Sequence, residues 1–345
     1  MRRWGFLSAG LVAASIATPA LSADKPVRFD IDRPEIRTFI SEVSTRNSLD
    51  AQALAKLLAQ AERQSSILEA MTRPAEQALP WWQYRARFLS TERIEAGLRY
   101  WAQHKPLLER IAAERGVPPH YLLAILGIET FYGRNTGRYR LVDSLATLAF
   151  DYPPRAKFFT GELEQLLLLA RDEQLDPLTL RGSYAGAMGV PQFISSSYRN
   201  YAIDGDGNGH RDLWNDTADV LASVANYFVE YGWQRGEPVM ADVTTAANVE
   251  RSGDDPAVPR PSGLNDTVGS LRARGHVFAT SLPDSAPAML VAAELETGVS
   301  WRVGFRNFHT ITRYNRSNRY AMAVNDLAQA LAGAMSLPPA PGEGN

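Results

Sequence analysis

Tyr121-Leu-Leu-Ala-Ile-Leu-Gly-Ile-Glu129-Thr-Phe-Tyr-Gly133 is the stretch on which the reading of this chain turns. Every residue from Leu122 to Ile128 is apolar or small, and the run ends on a carboxylate. Pro118-Pro119 starts a helix that ends near Glu129, with Gly133 as its expected terminator. A carboxylate is costly to take out of water. An apolar pocket disfavours its ionised form and raises its pKa, which suits a general acid near neutral pH. The same Glu129 also reads as a helix-end residue whose head group reaches solvent or a backbone donor, and this segment alone leaves both readings open.

On the N-terminal side, residues from Asp32 to about Arg115 read as several helices. Pro34 suits a first helical turn, with Ile36, Phe39, Ile40 and Val43 on one apolar face. Asp50 can cap a helix bearing Leu54, Leu57 and Leu58. Ser90-Thr91 begins another, with Ile94, Leu98 and Trp101 at helical spacing. On the C-terminal side, Ala156–Glu173 and Thr217–Tyr231 are helical, and Gly and Ala crowd the segment from Gly182 to Gly189, which permits tight turns. After Pro238 the texture changes. β-prone pieces at Val239–Val243, Ala288–Leu295 and Val299–Phe305 flank a Pro, Gly and Asp-rich stretch from Arg251 to Gly263, as in a small β-containing subdomain set into a helical protein. A last helix, about Ser317–Ala334, runs into a Pro-Gly tail expected to be disordered.

A chain of 345 residues exceeds one ordinary core of about 100–200 residues, so two or three packed subdomains are expected. Hydrophobic residues make up 45% and charged ones 21%, a soluble globular composition. The formal charge of −2 gives no signature for nucleic acid, and five His with no Cys give no zinc or thiol constellation. Arg2 and Arg3, the apolar stretch Phe6–Ala17 and the small residues Thr18–Ala23 form the three parts of a secretory signal. The apolar run is shorter than the roughly 20 residues that span a bilayer. Loss of its two arginines moves the formal charge from −2 to −4. With no Cys there is neither a disulfide nor a lipidated cysteine, and a soluble, exported, monomeric bacterial protein without a stable membrane anchor is expected.

Asp204-Gly-Asp206-Gly-Asn208-Gly209-His210-Arg-Asp212 carries the second strong signal. Acceptors at positions 1, 3 and 5 with Gly at 6 wrap oxygens around Ca²⁺ as an EF-hand loop does. The His210 backbone carbonyl falls at position 7 and Asp212 at position 9. Position 12 is Asn215 in place of a bidentate Glu, so Asp212, Asp216 or Asp219 must complete the set, Asp219 being the favoured ligand. An Asp/Gly-rich surface turn without metal is the alternative.

These pieces recur together. Gly127-Ile-Glu129-Thr, Arg171-Asp-Glu-Gln-Leu-Asp-Pro177, Gly182-Ser-Tyr-Ala-Gly-Ala-Met-Gly189 with Pro191-Gln-Phe193, Asp204–Trp214, Ser223-Val-Ala-Asn-Tyr227 and Ile311-Thr-Arg-Tyr-Asn315 stand in one order and at one spacing. On these the chain resembles the lytic murein transglycosylase B family, a branch of the lysozyme-like glycosidases, over about residues 84–334. The resemblance implies a mainly α (α+β) fold: a signal peptide at 1–23, an N-terminal helical lobe at 24–105, a lysozyme-like core at 106–236 with the calcium loop at 204–219, a small β-containing lobe at 237–304, a return to the core at 305–335 and a tail at 336–345. It implies a periplasmic enzyme acting on peptidoglycan glycan strands, with other cell-wall enzymes as candidate partners. The bond cut is the β-1,4 link between N-acetylmuramic acid and N-acetylglucosamine.

As the resemblance implies, Glu129 protonates the glycosidic oxygen and then, as carboxylate, takes the proton of the muramic acid 6-hydroxyl, which attacks C1 and closes a 1,6-anhydro ring. Ordinary glycosidases use two carboxylates; no second acid here has a comparable setting. Ser183 and Gln192 match polar positions lining the groove beside the acid, against turn chemistry and a satisfied amide as the plainer readings. Tyr84, Phe193, Tyr227, Tyr314, Asn315 and Tyr320 match positions that shape the saccharide cleft, where aromatic faces suit sugar C–H surfaces. Met188 reads as packing, and Arg313, Arg316 and Arg319 as a solvated face. Two other functions fit the same residues: a lysozyme-type hydrolase, if water reaches C1, and a non-catalytic peptidoglycan-binding protein.

Overall fold

The computed structural model describes residues 27–72, 79–245 and 263–336. The expected signal at 1–23, nearly all of the Pro, Gly and Asp-rich stretch 251–263 and the tail beyond Ser336 lie outside them. In chain order the elements begin with α1 (Pro34–Asn47), α2 (Ala51–Leu58), α3 (Ser65–Thr72), α4 (Trp81–Phe88), α5 (Thr91–Arg115) and α6 (Pro119–Thr130). Then come β1 (Tyr139–Arg140), α7 (Leu141–Asp151), α8 (Ala156–Asp172), β2 (Arg181–Gly182), α9 (Ser195–Tyr201) and α10 (Thr217–Glu230). The last third holds β3 (Met240–Thr245), β4 (Asp266–Thr267), α11 (Val268–Ala273), β5 (Val277–Phe278), β6 (Pro287–Glu294), β7 (Val299–Gly304), α12 (Arg306–Tyr314) and α13 (Asn318–Met335).

Packing sorts the described residues into two units, 27–72 with 133–220 and 79–132 with 221–336. This grouping runs across the lobes 24–105 and 106–236 drawn along the sequence, because α4 and α5 pack on α13 while α3 packs on α7. In the first unit, Asp50 caps α2 by accepting from the amides of Gln52 (2.7 Å) and Ala53 (3.1 Å). Helix α7 is buried from Leu141 to Ala149. Its few polar side chains hold the N-terminal segment in place. Asp143 accepts the Glu62 amide (2.9 Å) and the Arg140 guanidinium (2.8 Å), and the Thr147 hydroxyl accepts the Gln64 amide (3.0 Å). Asp151 pairs with Arg33 and Arg63 at 2.9 and 2.7 Å.

In the second unit α6 is the central helix, buried at every residue from Tyr121 to Ile128, with α13 packed along it. Helix α5 kinks at His104 (φ −117°), two residues before Pro106, which has no N–H to give to the preceding turn. The antiparallel sheet of this unit has the order β4-β6-β7-β3-β5. Met289, Val291 and Ala293 alternate inward along β6, as a half-buried strand requires. Val268, Leu271, Phe278, Ala288, Val303 and Phe305 form the core of this lobe. The three β-prone pieces expected from sequence are β3, β6 and β7; the two-residue strands β4 and β5 pair through only a few bonds and carry no pattern of their own. Among the described residues no helix is long and apolar enough to cross a membrane.

Candidate active site

Glu129 lies in the last turn of α6. The helix does not run on to Gly133. It stops at Phe131 (φ +53°), followed by Tyr132 (φ +59°) and Gly133 (φ +89°), three left-handed residues in succession. Each non-glycine residue in that conformation costs about 1–2 kcal/mol. Arg93 of α5 supports the turn. Its side chain, 7% exposed, donates to the carbonyls of Gly127 (3.0 Å) and Arg87 (2.5 Å), and its guanidinium lies 4.8 Å from the Phe131 ring centroid. A cation at a helix C-terminus also suits the helix dipole. Arg93 was not singled out from sequence, although Ala96 and Gly97 at +3 and +4 place it on a small-residue face. Gly97 and Gly127 are required there, since a Cβ on either would meet the Tyr132 hydroxyl at 2.4 or 2.7 Å.

The Glu129 carboxyl is packed round by protein, while the residue as a whole keeps partial exposure. Burial pushes its pKa up to about 7, and the Tyr320 hydroxyl, donating to Oε1 at 2.5 Å, pulls it back down. Three phenols face this carboxyl from three helices: Tyr84 from α4, Tyr314 from the end of α12 and Tyr320 from α13. All three are pushed above the usual phenol range, first by burial and next by the Glu129 charge. Tyr227 of α10 backs this set. Its ring centroid lies 4.8 Å from that of Tyr314 and its hydroxyl donates to the Arg313 carbonyl at 2.7 Å. Tyr84 and Tyr314 keep partial exposure, whereas Tyr227, Tyr320 and Asn315 are buried. The reading of Arg319 as solvated is corrected: it pairs with Glu294 at 2.8 Å and is 12% exposed, because β6 passes beside α13.

Ser183, Gln192 and Phe193 belong to the other unit. The Ser183 hydroxyl accepts the Ala187 amide (3.0 Å), closing the glycine-rich turn. That turn admits no side chain at Gly182, where a Cβ would stand 2.1 Å from the Ala187 carbonyl oxygen. Gln192 has φ +54°, and its amide nitrogen donates to the carbonyls of Gly189 (2.9 Å) and Thr136 (3.1 Å). Phe193 is 2% exposed and bridges Met188 through its backbone, and Met188 is fully buried, as its reading as packing requires.

In the Asp- and Gly-rich loop that starts at Asp204, carboxylate oxygens of Asp204, Asp206 and Asp219 all lie within 4.8 Å of one another. Asp204 accepts the amides of Gly207 (2.6 Å) and Gly209 (2.8 Å), and these backbone bonds hold its pKa down. Asp219 is wholly buried and accepts from Gly205 (2.7 Å) and Asp212 (2.6 Å); burial first, and the neighbouring Asp216 and Asp206 charges, push its pKa up. Of the three acids able to complete the set, Asp212 instead caps Trp214 and Asn215, and Asp216 caps α10 at Ala218. Asn208 accepts the His210 amide (2.8 Å), and the His210 side chain is exposed. Three converging carboxylates suit a hard, oxygen-seeking cation.

The sequence profile of the Transglycosylase SLT domain matches residues 32–329. The membrane-bound lytic murein transglycosylase B of Escherichia coli (strain K12) is 40% identical over 310 residues, 87% of this chain and 83% of that protein. The soluble lytic transglycosylase SltB1 of Pseudomonas aeruginosa superposes with a TM-score of 0.82 at 46% identity, covering 88% of this chain and 100% of that one. The Escherichia coli lytic transglycosylase Slt35 in complex with calcium superposes with a TM-score of 0.78 at 40% identity, covering 90% and 97%. Matched over most of its length, the chain belongs to the lytic murein transglycosylases, peptidoglycan-cleaving enzymes of lysozyme-like fold.

Proposed function

We propose that Glu129 alone carries both proton transfers of the peptidoglycan cleavage. The observation that supports this is a carboxyl held at a pKa of about 7 by burial, with a phenol bonded to it and the residue as a whole partly exposed. Protonated, Glu129 gives its proton to the glycosidic oxygen as the C1–O bond breaks. The resulting carboxylate takes the proton of the muramic acid 6-hydroxyl as that oxygen bonds to C1. The proton lost is regained, no water is consumed, and the product is a 1,6-anhydromuramic acid end. An already attached nucleophile supplies the high effective concentration that makes water unnecessary. The Tyr320 hydrogen bond orients the carboxyl and steadies its ionised form between the two transfers. The partly exposed rings of Tyr84 and Tyr314 meet the sugar, with Tyr227 and Asn315 packed behind them. Ser183, Gln192 and Phe193 serve sugar binding from the glycine-rich segment.

Asp204, Asp206 and Asp219, with the Asn208 side chain and the His210 carbonyl, are proposed to hold a structural Ca²⁺, supported by the converging carboxylates and by the calcium complex of a solved relative. When bound, the ion neutralises the loop's acids and takes no part in the bond cleavage. The N-terminal signal supports a periplasmic location.

The deciding experiment is liquid chromatography–mass spectrometry of purified peptidoglycan digested by the enzyme and by Glu129→Gln. Anhydromuropeptides, lighter by one water than hydrolysis products, are expected from the enzyme and none from the variant. Reducing ends would instead mean a hydrolase, and cleavage by Glu129→Gln would remove the assigned acid.

A further inference from the structure

Two ion-pair networks join the sheet to the helices that bear the tyrosines around Glu129. Glu294, the last residue of β6, accepts the backbone N–H of Trp81 through Oε2 (3.0 Å) and the Arg319 guanidinium through Oε1 (2.8 Å). Trp81 is the first residue of α4, and Arg319 precedes Tyr320 on α13. Both partners of this ion pair are largely shielded, at 16% and 12% exposure. Arg302 of β7 forms the second network, meeting Asp326 of α13 at 2.7 and 3.2 Å. Asp326 also accepts from Arg85 of α4 at 2.7 Å. The Arg302 guanidinium lies 5.5 Å from the Trp81 ring centroid, and that ring is fully buried and stacks on Tyr84 at 6.4 Å.

Helix α4 lacks a cap of its own. Its N-cap is Pro80, which has no side-chain donor or acceptor, and no side-chain cap bond is made there. The first N–H groups of a helix want an acceptor and favour a negative charge. Glu294 provides both from a strand more than two hundred residues away along the chain. Trp81, held by Glu294 of β6, and Arg85, held by Asp326 of α13, bracket Tyr84.

We propose that Glu294 is a positioning residue of the active site: it caps α4 and ties that helix to α13, so that the β lobe sets where Tyr84 and Tyr320 stand against Glu129. This rests on the proposed role of Glu129 as the acid. It also gives the β lobe a part in catalysis without contact with the substrate.

The groups facing the Glu129 carboxyl are Tyr84 from α4, Tyr314 from α12 and Tyr320 from α13; Arg319 and Arg87 bear on Tyr84. If α4 is released, water reaches the carboxyl, burial weakens, and its pKa relaxes toward the ordinary carboxyl range. The limb on which activity falls with rising pH then moves to lower pH.

The test compares the enzyme with Glu294→Ala and with Glu294→Gln, which keeps an acceptor for Trp81 but loses the charge opposite Arg319. Release of anhydromuropeptides is followed across pH, with Glu129→Gln alongside and the folded fraction read by circular dichroism. In Glu294→Ala, kcat is expected to fall on the order of tenfold or more. Its alkaline limb shifts to lower pH, and Glu294→Gln lies between. Wild-type kcat and pH limb in both variants would overturn the proposal, as would a loss that only follows the folded fraction with the limb unmoved. Should Glu294→Ala fail to fold, Glu294→Gln decides by the same two readings. Activity in Glu129→Gln would remove the acid itself; an inactive Glu129→Gln beside unaltered Glu294 variants would remove only the clamp.

Discussion

At Glu129 two opposed effects set the proton affinity of the carboxyl, and they can be separated by one atom. Burial raises the carboxyl pKa and the Tyr320 hydroxyl lowers it. Tyr320→Phe deletes the hydrogen bond and leaves the burial. A hydrogen bond to a charged group contributes about 1.5–3 kcal/mol, so the pKa is expected to rise by about one unit or more. The alkaline limb of the pH–rate profile should therefore move upward, opposite in sign to the Glu294 variants. An unmoved or lowered limb would refute the assigned role of Tyr320. Glu129 is legible in the sequence because its apolar setting is local, the run of seven residues from Leu122 to Ile128. Its partner is 191 residues away, and only the folded chain shows that this phenol reaches it.

Among elements, the metal loop shows which features local sequence encodes. The alternation of Asp204, Asp206 and Asn208 with glycines is written in consecutive residues, whereas only the fold shows that Asp219, fifteen residues after Asp204, brings its carboxylate to within 4.8 Å of theirs. If the loop binds Ca²⁺, a chelator lowers the melting temperature of the enzyme. Ion present at about a hundred times its dissociation constant stabilises by about 2.7 kcal/mol. Asp219→Asn is expected to melt identically with and without chelator. Chelator-insensitive melting of the unmodified enzyme would sink the metal site. Helix α7 was invisible for the opposite reason. Asp143, Ser144, Thr147 and Asp151 do recur at helical spacing, but Asp143, Ser144 and Thr147 are buried with the apolar residues, so the polar stripe marks no solvent face between Leu141 and Asp151. The end of α6 near Glu129 was legible, but its terminator was not: the left-handed turn begins at Phe131 and Tyr132, two residues before the glycine that marks such a turn locally.

For the molecule as a whole, the buried Glu129 carboxyl is a stability liability as pH rises. The folded pKa of about 7 lies above the ordinary value of 4.5. Between those values the folded state holds a proton that the unfolded chain has lost, so stability falls as pH rises through that window. The penalty is complete above about pH 7. At 1.36 kcal/mol per unit it is bounded at about 3 kcal/mol, and the partial exposure of the residue reduces it. Glu129→Gln, neutral at every pH, should melt above the unmodified enzyme at alkaline pH and alongside it below about pH 4. Equal melting at alkaline pH would show that the carboxyl is not buried as described.

The interleaving of the two packing units along the chain has a consequence for how the enzyme is made. A ribosome delivers residues in order, and helix α6 emerges long before α13, which covers it. Until that last helix is synthesised, the most apolar helix of the protein has no partner to complete its core, and Glu129 has neither its buried setting nor its phenol. A chain still being translated thus lacks the buried surroundings of Glu129, which are complete only once the C-terminal third has arrived.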